Sequence, residues 1–420
     1  MPDLPFVVTP STFTSHSPDE IRAMVDDKLP EIVTLLTRGG GNAAAAPAPA
    51  PAAHETALEF TADDGIRAVE AMNERFLELG WGDGFPLYPP TADRVAAMLR
   101  GTRRAPDSVV AVLEPGFGIA TVETIAANAV MAGCKPEHLP VLIAAIECIA
   151  EPAMGLRTKA MSTGPQAPMI VVNGPIRQRI GLNSGRNALG PGAPSKVNTA
   201  IGRALRLCMM NIGHTYPDIG DMDTIGSPTK YSMCLAENEE VSPWDPLQTE
   251  HGFARDQSTV TVHFNYGLTE LHDFESHTPE DLIEVFVSAA QNTGAVTTGF
   301  WLTGRRAEGH FGLSEQEHDL ILVCPEHAEI FGKAGWTKDR LRTEIHKRAR
   351  LPFKTLMHTK QAKSFNAAHP ELAWLWDSPD TLVPVLEDEK CYDIVVVGAT
   401  AGRSQMWWGC GATATKVVEE

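Results

Sequence analysis

Seven cysteines are scattered through 420 residues, at positions 134, 148, 208, 234, 324, 391 and 410, without one CxxC pair or a regular spacing. A disulfide framework is not expected in a chain of this size. Basic residues are also in short supply: 35 Lys and Arg against 53 Asp and Glu leave a formal charge of −18. A surface of that sign repels phosphate backbones and anionic lipid, so neither nucleic acid nor membrane is expected as a partner. No apolar run approaches the roughly 18 residues of a membrane span; the longest, Leu139 to Ala150, is broken by Pro140 and Glu147. The start, Met1-Pro-Asp-Leu-Pro5, carries an acid where a signal peptide needs basic residues ahead of an apolar core. A cytoplasmic location is the resulting expectation.

Nucleotide signatures fail on their details. Gly398-Ala-Thr-Ala-Gly402 follows an apolar strand, but only 18 residues come after Gly402, too few for the helix, second strand and acidic ribose partner of a dinucleotide fold. Such a turn would still offer backbone amides to a small anion. Gly190-Pro-Gly-Ala-Pro-Ser195-Lys196 lacks the Gly-Lys-Ser/Thr order of a phosphate loop. No nucleotide cofactor is expected.

What the chain has in excess is turn residues: 35 Gly and 31 Pro are about one residue in six, against roughly 12 % in average usage. They punctuate an alternation of helices and strands that predicts a layered α/β fold with a mixed or parallel sheet. Ser17-Pro-Asp-Glu20 opens a helix reaching about Arg38, and the Ala/Pro stretch after it reads as an extended spacer. The expected organisation is a helical arm over 1–41, a linker over 42–55, a main α/β domain over 56–300 and a second α/β unit over 301–420. Further helices are expected over 64–79, 91–100, 122–131, 135–149, 196–211 and 279–292, and strands over 109–113, 169–173, 259–265, 319–323 and 392–398. Asp319 and Asp393 open two similar apolar strands, which hints at a parallel pair. The aromatic tail Met406-Trp-Trp408 is expected to pack against the main domain or a second subunit, and with the arm it suggests a homo-oligomer, or a partner subunit held by the arm.

The candidate chemistry follows from residue types and spacing. Cys134 precedes a helix and a lysine, both of which favour thiolate, unless it simply packs at the helix entry. If 226–240 is helical, Lys230, Cys234 and Glu237 share a face, placing a cation, a thiol and a general base together for thiol activation or proton transfer. Asp83, in a Gly-Asp-Gly turn, either caps its own backbone or faces a pocket. Asn173, Asn183, Arg186 and Asn187 in Gly-rich loops, with Arg203 on the following helix, are candidates to orient and clamp a small carboxylate substrate. His263, His272 and His277 are the candidate ligands for a divalent metal.

Several segments together resemble a bacterial family associated with selenoproteins named for a Sec-Gly-Ser-Cys motif. They are Gly82-Asp-Gly-Phe-Pro86 with Pro89-Pro90, Asn128 to Glu137, Val172-Asn-Gly-Pro175, and Pro325-Glu-His327 with Gly335-Trp336. The resemblance spans residues 60–420 and implies thiol or selenol chemistry. Its local counterpart, Cys410-Gly-Ala-Thr413, lacks the second cysteine of the motif. The expectation is an enzyme acting on a small, anionic molecule through a reactive cysteine, Cys134 or Cys234. A lyase or hydratase using Glu237 and Lys230, with metal assistance, is the alternative; a non-catalytic assembly subunit is a third.

Overall fold

The computed structural model describes residues 17–37, 57–297, 317–355, 373–375 and 377–419. Two units are separate, Met1–Thr61 and Ala62–Glu420. The first contains α1 (Pro18–Thr37), as the sequence predicts; the Ala/Pro stretch 42–55 lies outside the described residues.

In the larger unit, capping chemistry sets several helix starts. Asp64 accepts the amides of Ile66 and Arg67 and opens α2 (Gly65–Glu78), after which comes α3 (Ala92–Leu99). A short hairpin pairs β1 (Val109–Leu113) with β2 (Gly118–Thr121). Thr121 and Thr124 form a reciprocal capping box that opens α4 (Val122–Met131), satisfying amides that the first helical turn otherwise leaves bare. Helix α5 (Leu139–Ile149) is apolar on nearly every side and correspondingly buried. No single helix among the described residues is long and apolar enough to cross a membrane.

After α6 (Leu156–Ala160) the chain enters the main sheet through β3 (Ala167–Asn173), leaves it through α7 (Ile176–Arg179) and α8 (Lys196–Asn211), and returns as β4 (Cys234–Ala236). The order then runs α9 (Leu247–Glu250), β5 (Thr259–His272), α10 (Pro279–Thr297), β6 (Asp319–Val323), α11 (Pro325–Lys333), α12 (Lys338–Arg348), a small β7 (Arg350–Pro352) and β8 (Leu382–Pro384) pair, β9 (Tyr392–Val396), β10 (Arg403–Gly409) and β11 (Ala414–Val417). The sheet order is β4-β3-β5-β10-β6-β9, with β11 on β5. Strands β3 and β4 are parallel, as are β6 and β9, while β5 and β10 run antiparallel to their neighbours. This is an α/β fold with a mixed sheet. The β6–β9 pair is parallel as the matching aspartates suggest, though the register sets Leu320, not Asp319, opposite Asp393.

Two expectations change. β5 has 14 residues, seven more than its period-2 run predicts, because its second half pairs with β10. β10 contains Met406-Trp-Trp408, so the expected aromatic tail does pack within the larger unit, but as a central strand of its sheet. The expected boundary at 300 lies outside the described residues, but the units it was to separate share one sheet: β5 is hydrogen-bonded to β10 and β11. Backbone pairing ignores chain distance, and two strands within reach bury each other's polar groups.

The pleat sorts side chains to two faces. On one, Ile321, Val323, Ile394, Val396 and Met406 pack with residues of α10, α11 and α12. On the other, Leu320, Leu322, Val395 and Trp407 meet Met169, Val171 and Leu235 from the far strands, so the sheet curls about its own side chains. The curl brings its ends together, with the Asn238 amide donating to the Val396 carbonyl at 2.7 Å. Close approaches of this kind require Gly409, where a Cβ would stand 1.7 Å from the His318 carbonyl oxygen.

Candidate functional site

Strand β6 is fully buried and delivers Cys324 as the N-cap of α11, with Pro325 at the first helical position. The thiol lies beside the backbone amide and ring of His327, one turn into the helix, and both favour its charged form. Ser404 of β10 ties the pair together: its Oγ accepts the Cys324 amide at 3.0 Å and lies 2.8 Å from His327 Nδ1. The other ring nitrogen, Nε2, is 3.1 Å from the Asp273 carbonyl. Burial pushes the Cys324 thiol up, but the His327 ring and amide, the imidazole charge and Ser404 outweigh it and hold the thiol below its ordinary range. His327 shifts the opposite way. Burial pulls it down, and the Cys324 sulfur and the Asp273 main chain and charge lift it above the ordinary imidazole range.

The Gly398–Gly402 turn stands beside this pair. Its amides do hold an anion, but the anion is internal: Glu326 Oε2 accepts the N–H of Ala401 at 3.1 Å and of Gly402 at 2.7 Å. Ala401 and Gly402 both have positive φ, 143° and 50°, which turns successive amides toward one point. Gly402 is needed for a second reason, since a Cβ there would lie 2.1 Å from the carbonyl oxygen that orients His327. A cavity of about 480 Å³ opens over the first turn of α11, lined by Pro325, Glu326 and Thr400 among others. Cys324 is 2 % exposed.

The residues singled out in the sequence go elsewhere. Cys134 is half-buried and lines a small cavity with Tyr88 and Gly133, and burial, against the opposing charge of Arg203, pushes its thiol up to about 12. Burial likewise raises Cys234 well above the usual range. The segment 226–240 is not a helix but a short 3-10 turn (Pro228–Lys230) followed by β4, so Lys230, Cys234 and Glu237 do not share a helical face. Lys230 is taken by Asp221 and Asp223, at 2.8 and 2.7 Å. Glu237 is wholly enclosed; it accepts the Asn173 side chain at 2.6 Å and the Leu247 amide at 2.9 Å, and Lys338 stands 3.8 Å away. Burial raises its pKa despite these partners. Asn173 is equally enclosed, so neither it nor Glu237 is exposed at the surface.

Asp83 and Arg203 answer each other in a two-pronged ion pair of 2.6 and 2.8 Å, which removes both from the expected substrate set. Asn183 shapes its own loop through the Arg186 carbonyl, Ser195 and the Gly185 amide. Arg186 and Asn187 are exposed, and Asn187 adopts a left-handed φ of 57°.

The histidine expectation also changes. No group of three His, Cys, Asp or Glu among the described residues is placed to hold a metal ion. His272 and His277 are exposed while His263 is fully buried, and at about 3.3 Å per residue the nine steps of β5 put His263 roughly 30 Å from His272. His263 instead approaches Asp393, as do His318 and His251, with nitrogen–oxygen separations of 3.7, 3.3 and 3.9 Å. Burial drops His263 to about 4, and burial of Asp393 is outweighed by the surrounding imidazoles, which hold its carboxyl far below the usual range.

Cys324 and His327 are the pair that the sequence reading did not single out as a site. The signal was present as a Cys-Pro-Glu-His run directly after a buried strand, with Pro at the first helical position. Comparison with known proteins assigns no family: no family model matches the chain, and neither does any curated protein or solved structure.

Proposed function

We propose that this protein is a thiol-dependent enzyme that transfers or hydrolyses an electrophilic group of a small molecule, with Cys324 as nucleophile and His327 as its acid–base partner. One observation carries the reading: Ser404 Oγ accepts the Cys324 amide at 3.0 Å and lies 2.8 Å from His327 Nδ1, which sets thiol and imidazole side by side, each favouring the charged form of the other. A nucleophile bonded to a base, with the base oriented by a third group, is the recurring arrangement of covalent catalysis. The third group here is the Asp273 carbonyl, which fixes the proton on Nε2 and leaves Nδ1 for the sulfur. With its proton on Nδ1, Sγ bonds to the electrophilic carbon as the bond to the leaving group breaks; Nδ1 gives the proton to the leaving group, and water or an acceptor deprotonated by His327 then displaces the sulfur. The immediate partners of Cys324 are an imidazole and a hydroxyl, with no second thiol among them, which favours group transfer over a dithiol redox cycle.

A lyase built on Glu237 and Lys230 has no comparable support, because each is already bound to other protein groups. The test is alkylation by iodoacetamide across pH, with each cysteine followed by peptide mass mapping. Cys324 is expected to react first, with an inflection below the ordinary thiol value of about 8.5. Labelling of Cys324 no faster than Cys134 or Cys234 at every pH overturns the proposal.

A further inference from the structure

The hairpin of β1 and β2 is apolar on both faces, yet only one of them is covered. Leu113 and Ala120 turn inward and are fully buried, while Val112 and Ile119, paired across the strands, turn outward and are more than half exposed. A strand pair with one face in water ordinarily alternates apolar with polar side chains. Here the run from Ser108 to Val122 holds a single charged residue, Glu114, in a chain that is 21 % charged. At the tip, Phe117 is 57 % exposed in a left-handed backbone conformation, which is strained for a bulky side chain.

Two neighbouring segments continue this surface. The Glu114 carboxylate accepts the Arg157 amide at 3.2 Å, which ties the turn to the segment carrying exposed Met161. The loop after α8 packs on the same turn: a Cβ on Gly116 would stand 2.4 Å from the His214 ring, and one on Gly220 would touch Pro115. The Thr224 amide then donates to the Thr163 carbonyl at 3.2 Å. That loop presents Ile219, Met222 and Ile225, the last 94 % exposed. Together the three segments bare an apolar area on the order of 700 Å², above the roughly 300–600 Å² of the largest patch on a typical monomer and near the roughly 800 Å² each partner buries in a standard interface.

Charge selects what covers it. At a formal −18 the protein repels its own copies unless they meet across a face poor in charge. The acids of this surface are largely committed: Glu114 to the Arg157 amide, and Asp221 and Asp223 to Lys230 and Arg206. Two exposed charges remain, the Arg157 guanidinium beside Glu114 and the Asp218 carboxylate beside Ile219, and neither side chain meets a partner among the described residues. One free base and one free acid suit a two-fold axis, because a residue that contacts another across such an axis is contacted in return. Arg157 of each copy then meets Asp218 of the other.

We propose that this surface is the contact between two copies of the chain in a two-fold homodimer, with the hairpin face, Phe117 and the Ile219–Ile225 loop at its centre and two Arg157–Asp218 pairs at its rim. The interface stands apart from the Cys324 reading and does not depend on it.

Sedimentation velocity of the full-length protein, over concentrations from about 1 to 100 μM, is the test. A species of twice the 45.4 kDa chain mass is expected. Ile119→Asp is expected to weaken the dimer by more than about tenfold, since it buries a charge in each copy. Arg157→Glu and Asp218→Arg are each expected to weaken it about tenfold by setting like charges together, and the double variant, which restores opposite charges, to return within about threefold of the original. All three positions are exposed, and an unchanged rate of Cys324 alkylation reports that each variant is folded. A monomer at every concentration, a dimer indifferent to Ile119→Asp, or a double variant no tighter than either single one overturns the proposal.

Discussion

His327 Nε2 lies 3.1 Å from the main-chain oxygen of Asp273, the residue that follows the longest strand. A carbonyl can only accept, so Nε2 keeps its proton and Nδ1 is the nitrogen that faces Cys324 and Ser404. His327→Gln removes the titrating partner but leaves the burial that pushes the thiol up. The Cys324 alkylation inflection is then expected to move above the ordinary thiol value of about 8.5. An unchanged inflection would mean that the imidazole is not what lowers the thiol.

Gly402 links the turn to this pair from the other side. Its amide donates to Glu326, its carbonyl accepts the Asp273 amide, and its missing Cβ leaves room for the Asp273 carbonyl. Gly402→Ala is expected to cost about 1–3 kcal/mol in urea unfolding, from a steric overlap and a positive φ together. It is also expected to displace the His327 acceptor and raise the Cys324 inflection. Loss of stability with no change in thiol reactivity would separate the turn from the site.

Local signals carried much of the fold into view. Val109–Leu113, Val122–Met131, Lys196–Asn211 and Asp319–Val323 have in the structure the bounds their periodicity predicts, because caps, prolines and strand length are written within a few residues. Strands β4, β10 and β11 were hidden for the opposite reason. Trp407 is an interior residue of a central strand only because Leu320 and Leu268 are hydrogen-bonded neighbours far away in sequence, and no window around residue 407 contains them. The site was obscured by the same physics. Lys230, Cys234 and Glu237 look grouped on a helical wheel, but Gly226, Ser227 and Pro228 hold the segment in a turn and send the three side chains to different partners. Cys324 and His327 are three residues apart, yet what distinguishes them from a packed N-cap is Ser404 of β10 and Asp273 just past the end of β5.

Asp83 and Arg203 make a stability prediction independent of the thiol. The carboxylate is 2 % exposed and the guanidinium 13 %, and Arg203 further donates to the Phe85 and Pro86 carbonyls, pinning the Gly82–Pro86 turn to α8. Removing one partner leaves the other charged and buried, at a cost of about 3–5 kcal/mol. Asp83→Asn and Arg203→Met are each expected to lower the urea midpoint strongly, and the double variant by less than the sum. Additive losses would show that the two side chains act separately.

His138 predicts how stability responds to acid. Its Nδ1 accepts the Lys135 amide at 3.1 Å, a bond only the unprotonated nitrogen can make, and burial takes the ring down to about 4. Between about 6.5 and 4 the unfolded chain binds a proton here that the folded chain refuses, so stability falls as the pH drops through that window. The loss reaches about 3 kcal/mol when the window has been crossed, at roughly 1.4 kcal/mol per pKa unit. Asn at this position offers an acceptor oxygen but does not titrate. His138→Asn is therefore expected to flatten the pH dependence of the urea midpoint between 6.5 and 4; an equally steep decline in the variant would assign the acid sensitivity to other groups, His263 foremost.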